Sequence, residues 1–254
     1  MIACNIYQQK ISKGLMKLRN YFLLMLAIPI VAFSQKGQLE FDHFKTNQGL
    51  SQSNVLCILQ DSRGFMWFGT REGLNQYDGY KFTVYKNDPK NANSISGNFI
   101  SAIIESHDGN IWIATWGDGL CKYNIEKNQF TSYKHDAKNA GSISSDYINT
   151  VEEDKDGNIW AGTEDAGLNV LSGNTKQFVH YRFNKNNANS LSDDYIRIIK
   201  QDNEHNLWIG TTNGGLNLFN PANKTFTRYL HNESDKNSLS YNNVYTIFED
   251  WNVR

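Results

Sequence analysis

Apolar residues in this chain come in short runs, broken every few positions by Gly, Asp and Asn. The first clear set reads NVLCILQ (Asn54 to Gln60), FMWFGT (Phe65 to Thr70), LNQY (Leu74 to Tyr77) and KFTVY (Lys81 to Tyr85). β-Branched and aromatic residues fill the runs and turn formers separate them, which predicts four short strands joined by tight turns. The set then recurs. Its second run reads WFGTREGL from Trp67, WIATWGDGL from Trp112, WAGTEDAGL from Trp160 and WIGTTNGGL from Trp208, with Trp-to-Trp steps of 45, 48 and 48 residues. Four strands repeated at this period predict the blades of a β-propeller, strands A to D running outward from the axis.

The expected fold is therefore all-β, with four full four-stranded blades. The repeats lie near 49–93, 94–141, 142–189 and 190–237, with a partial one over 238–254. The A-to-B turn reads DSRGFMW, SHDGNIW, DKDGNIW and DNEHNLW; its Gly supplies the positive φ of a hairpin, and Asn206 is expected to do so in the fourth copy. The B-to-C turn always ends in Gly (Gly73, Gly119, Gly167, Gly215) followed by Leu (Leu74, Leu120, Leu168, Leu216), a positive-φ residue and then a core anchor. Strict periodicity assigns the four tryptophans to packing between blades rather than to a ligand.

Both ends carry partial strands. LEFDHFK (Leu39 to Lys45) matches strand D: Phe41 and Phe44 are spaced like Phe82/Tyr85, Phe130/Tyr133, Phe178/Tyr181 and Phe226/Tyr229. Asn243 to Asp250 matches a fifth strand A. Strands B and C of that blade are missing, so the ring is expected to be incomplete and the chain a fragment, with an uncovered blade face.

Composition adds an address. Of 25 bases in the chain, four (Lys10, Lys13, Lys17, Arg19) lie in residues 1–34 with no acid, leaving 21 against 26 acids in the rest. That acidic body argues against a nucleic-acid partner. The basic stretch precedes the 13-residue apolar run YFLLMLAIPIVAF and then Ser34-Gln35, the layout of a secretory signal over 1–34. Met16 is an alternative start, and an uncleaved anchor is the alternative to cleavage. Cys57 and Cys121 occupy non-equivalent repeat positions and read as small buried residues, not a disulfide.

The SLS-x-x-x-(I/V) opening, the D-x-x-G-x-(I/L/M)-W-x-G-T turn and the G-L-N strand together resemble the two-component regulator propeller, from Leu39 to Asp250. The resemblance implies the periplasmic sensor region of hybrid two-component systems and sensor histidine kinases of Bacteroidota. It implies an oligosaccharide or similar polar ligand, the remainder of a sensor kinase chain as partner, and a homodimer. The sequence carries no kinase His motif or ATP-binding glycine box, so no enzyme activity, cofactor or metal is expected of this chain.

Strand order puts the D-to-A and B-to-C connections on one face. The long D-to-A loops and the B-to-C residues Arg71, Trp116, Asp118, Glu164 and Asn213 are candidate ligand contacts there. Phe99, Tyr147 and Tyr195 join them at strand A starts, with Arg197 two residues beyond Tyr195. Trp116 has no aromatic counterpart in the other repeats. It reads either as a platform for a sugar ring or as packing on the neighbouring loop. Competing functions are a protein-interaction propeller without small ligand and a lyase or glycosidase type of propeller enzyme using His135, Glu152 or Arg197. Asp154 to Asn158 lacks the ligands of a calcium loop and reads as a hairpin turn.

Overall fold

The computed structural model describes residues 43–173, 175 and 177–250. The signal segment, Met16, Phe41 and residues 251–254 lie outside them. The described residues hold four antiparallel four-stranded sheets, each in chain order. Blade 1 is β1 (Val55–Gln60), β2 (Met66–Thr70), β3 (Gly73–Tyr77) and β4 (Phe82–Tyr85). Blade 2 is β5 (Ile100–Glu105), β6 (Ile111–Thr115), β7 (Leu120–Asn124) and β8 (Gln129–Tyr133). Blade 3 is β9 (Ile148–Glu153), β10 (Ile159–Thr163), β11 (Leu168–Leu171) and β12 (Phe178–Tyr181). Blade 4 is β13 (Ile196–Gln201), β14 (Leu207–Thr211), β15 (Leu216–Asn220) and β16 (Thr225–Tyr229). The first strands β1, β5, β9 and β13 neighbour one another in turn, as the inner strands of a propeller must.

The blades are glued by aromatic rings. Trp67 is fully buried, stacked on Tyr85 of its own blade at 6.0 Å and edge-on to Tyr123 of the next at 5.8 Å. Trp112 stacks on Tyr133 and Trp160 on Tyr181 in the same way. Trp160 also meets Phe219 of blade 4 at 5.0 Å. Trp208 has its own Tyr229 at 5.8 Å but no described blade beyond it, and it stays partly exposed, as does Leu216. Leu74, Leu120 and Leu168, which do have a neighbour, are fully buried.

The turn motif has a purpose beyond its glycine. Asp61, Asp154 and Asp202 each accept a hydrogen bond from the indole Nε1 six residues on, at 3.0, 2.7 and 2.8 Å. Asp61 and Asp154 also accept backbone N–H groups of their own turns. Burial opposes ionisation of Asp61, yet the hydrogen bonds from Trp67, Arg63 and Phe65 outweigh it and hold its pKa below the usual value. Asp202 is shifted in the same direction, burial again being outweighed by Trp208 and Asn206. Asp154 thus spends its oxygens on the hairpin, which agrees with the turn reading. In the fourth turn the expectation for Asn206 is corrected: the left-handed residue is His205, φ 68°. It stands where Gly64, Gly109 and Gly157 stand, and its N–H bonds the Asp202 carbonyl as theirs bond Asp61, Ser106 and Asp154.

Two further devices join the blades. The Gly of W-x-G-T lets β2 and β10 approach the next inner strand, and β14 the segment at Val244: a Cβ on Gly162 would lie 2.5 Å from Ile196. The last residues of β5, β9 and β13, and Glu249 at the equivalent place in the C-terminal segment, then stitch back to the preceding turn. Glu105 accepts from Ser62, Glu153 from His107, Gln201 from Lys155 and Glu249 from Asn203.

The terminal segments follow the expected path without pairing as strands. Phe44 lies 4.9 Å from Tyr77 and 5.5 Å from Phe82, repeating the distances of Tyr85 to Tyr123 and Phe130, 5.3 and 5.5 Å. It therefore sits where the outer aromatic of a preceding blade would sit. At the other end Val244 packs on Gly210 and its N–H bonds the Thr211 carbonyl. Neither segment has a described partner strand, so no ladder forms.

Candidate functional site

The B-to-C turns and D-to-A loops share one end of the blades, and they are tied together there. The N–H groups of Gly73, Gly119, Gly167 and Gly215 bond the carbonyls of Asn98, Asp146, Asp194 and Asn242 in the following loops, at 2.8–2.9 Å. Inside each turn a fully buried Thr closes the loop; Thr163 Oγ1, for example, donates to the Gly167 carbonyl at 2.8 Å. The Asn-rich D-to-A loops consume their own polar groups. Ser94 Oγ both accepts from the Asp88 N–H and donates to the Asp88 carbonyl. Ser142, Ser190 and Ser238 do the same with Asp136, Asn184 and Asn232. These hydrogen bonds make the loops built turns.

What projects from this end is aromatic. A β-bulge in each inner strand leaves Leu56, Ser101, Asn149 and Arg197 without a ladder partner. Bulges re-aim side chains. Arg197 is turned so that its guanidinium lies 4.8 Å from the Tyr195 ring and 4.6 Å from that of Tyr245, with Nε donating to Thr212 Oγ1 at 3.1 Å. Between blades 1 and 2, the Arg71 guanidinium lies 5.2 Å from the Phe99 ring.

Trp116 stands between these pairs. Its ring is 5.3 Å from Phe99 and 5.1 Å, edge to face, from Tyr147. Its indole N–H donates to the Glu164 carboxylate in the next blade. Trp116 and Tyr147 nonetheless remain 41% and 43% exposed. With Glu164 and Asp165 they line a hollow of about 300 Å³. Neither acid belongs to an ion pair among the described residues.

The structure thus gathers Arg71, Phe99, Trp116, Tyr147 and Glu164 into one run and joins Tyr195 to Arg197 in another. Asp118 and Asn213 stand apart. Asp118 packs under Gly97 and pairs with Lys134 at 3.2 Å, and Asn213 is held through its backbone by Asp193. Tyr245 and Asp165 complete the two groups. Tyr245 could have been found by stepping 48 residues from Arg197, the period of the repeat.

The enzyme candidates do not assemble. His135 Nδ1 is bonded to the Ile143 carbonyl, and Glu152 is paired with Lys200 at 2.8 Å on the opposite side, near the A-to-B turns. Glu152, Glu153, Glu105, His107 and Lys200 line a second hollow of about 560 Å³ there.

Four such blades define a propeller whose repeats are nearly identical in framework and differ at the loop end. The family model described as two component regulator propeller matches residues 49–72, 94–117, 142–165 and 190–213, each from the end of a D-to-A loop through strand B. Each of the four blades therefore carries a two-component regulator propeller repeat. It is 46% identical over 71 residues to histidine kinase P4 of Formosa agariphila, covering 28% of this chain and 5% of that protein. Among solved structures it resembles the extracellular domain of the hybrid two component system BT3049 from B. thetaiotaomicron, with 27% identity and a TM-score of 0.56, over 82% of this chain and 39% of that one. It also resembles the extracellular domain of the hybrid two component system BT4673 from the same organism, with 26% identity and a TM-score of 0.56, over 68% of this chain and 24% of that one. The chain thus spans well under half of each of these relatives.

Proposed function

We propose that this chain is the ligand-sensing part of a two-component signalling protein, working outside the cytoplasm, in the periplasm. Its ligand is a polar, ring-bearing molecule such as an oligosaccharide, held at the loop end around Trp116. The observation that carries this reading is the exposed Trp116–Tyr147 pair above Glu164 and Asp165. Aromatic faces take up ring-shaped ligands while a few placed polar groups fix orientation. Its partners are the remainder of a sensor kinase chain and, through it, a second copy, since a rigid propeller transmits by changing how it docks rather than by changing shape.

The test is a library of oligosaccharides screened for binding to the whole chain, repeated with Trp116→Ala. The expected result is a ligand whose binding falls at least about tenfold in the variant, the loss of a central aromatic contact. A ligand that binds the variant as well as the native chain would move the site elsewhere. A library without any binder would favour the interaction-platform reading.

A further inference from the structure

We propose that the hollow beside Trp116 receives a positively charged nitrogen, the ammonium or guanidinium of the ligand, rather than a neutral ring alone. The proposal rests on the ligand-sensing reading above and narrows it to a chemical class. Its ground is a comparison the molecule makes within itself. At two places along the ring of inner-strand starts an aromatic side chain meets a cation of the chain's own: Phe99 meets Arg71, and Tyr195 with Tyr245 encloses Arg197. Between them Trp116 and Tyr147 present the same kind of surface, yet among the described residues no cation lies over either ring. The sequence supplies carboxylates there instead, Glu164 and Asp165.

The two groups act in the same direction. An aromatic face attracts a cation through its quadrupole, increasingly so as water is excluded. A carboxylate at the edge adds a charge-assisted hydrogen bond. Glu164 commits one oxygen to the Trp116 indole and keeps the other, while the Asp165 side chain has no described partner. Of the bases nearby among the described residues, Lys134 pairs with Asp118, while Arg182 donates to the carbonyl of Ala166 and forms no ion pair with Glu164 or Asp165. A neutral ligand would stack on the indole without drawing on the two negative charges of the hollow. A ligand with an ammonium group draws on the aromatic faces and the carboxylates together.

Three trisaccharides of the same linkage separate charge from shape: the glucosamine trimer, its N-acetylated counterpart, and cellotriose. Each is titrated into the nitrogen-15-labelled whole chain at mildly acid pH. The indole N–H resonance of Trp116, assigned by its loss in Trp116→Phe, is the readout. The glucosamine trimer is expected to move this resonance at concentrations about tenfold below either neutral trimer, and Asp165→Asn, an exposed position, to remove most of that preference. Equal binding of the neutral trimers would overturn the cationic assignment while leaving a sugar site at Trp116. If no trimer moves the resonance the cationic assignment also fails, and the library screen then decides the broader reading by itself.

Discussion

Replacing Asp61 by Ala tests what holds a blade together. Asp61 is 3% exposed, and its carboxylate accepts from Trp67 Nε1 at 3.0 Å, the Phe65 N–H at 2.9 Å, the Arg63 N–H at 3.1 Å and the Arg63 guanidinium at 2.6 Å. Arg63 is partly exposed and can turn to water, so its pairing contributes little. The indole N–H cannot, because Trp67 is fully buried between Tyr85 and Tyr123. A hydrogen bond to a charged acceptor contributes about 1.5–3 kcal/mol, and an orphaned buried donor costs about 1–3 kcal/mol. These describe the same bond from two sides and do not add, so the expected loss is about 3 kcal/mol, with the turn N–H groups recovering water. Urea unfolding of the whole chain, followed by circular dichroism to avoid the altered tryptophan, measures it. Asp61→Asn keeps one acceptor oxygen and should fall between the two. The shift also has a pH signature. Asp61 has a folded pKa below its unfolded value of about 3.9, so its contribution is complete above that pH and disappears as pH falls through the folded pKa. The gap between native chain and Asp61→Ala should therefore narrow only below about pH 4. A loss under about 0.5 kcal/mol, within the range of ordinary surface changes, or a gap that is the same at pH values on both sides of that point, would refute the indole-clamp argument.

Three other outcomes are expected. Gly162→Ala should destabilise by roughly 1–3 kcal/mol, because its Cβ would meet Ile196 at 2.5 Å and Thr150 at 2.8 Å; thermal unfolding reads this. His205→Gly should stabilise by about 1 kcal/mol, since the native φ of 68° is strained for a residue with a side chain; urea midpoints of the two chains check it. Burial pushes the Cys57 thiol up to about 12 and raises that of Cys121, so in a Cys4→Ser chain neither should react with a thiol reagent near neutral pH until denaturant is added.

The repeat made the framework legible because each of its residues answers a local demand. The tryptophans and the Gly-Leu pairs recur in all four blades, and the turn aspartate in three of them. The strand boundaries follow from alternation of apolar and turn residues, and the equivalence of Phe44 to Tyr85 could be read from spacing alone. The His205 turn shows the limit of such reading: Asn is the commoner left-handed residue, but the hydrogen bond to the Asp202 carbonyl fixes the register one position earlier. Tertiary structure decided whatever depends on a neighbouring blade. The glycine of W-x-G-T has no explanation within a single blade, since it is the next inner strand that fills the space a Cβ would need. The same holds at the loop end. Sequence singled out Trp116 because it breaks the repeat, but not its seat between Phe99 and Tyr147 or its bond to Glu164, which stands 48 residues further along. Periodicity reports what all blades share, whereas a binding face arises where adjacent blades differ, and only their packing brings those differences together.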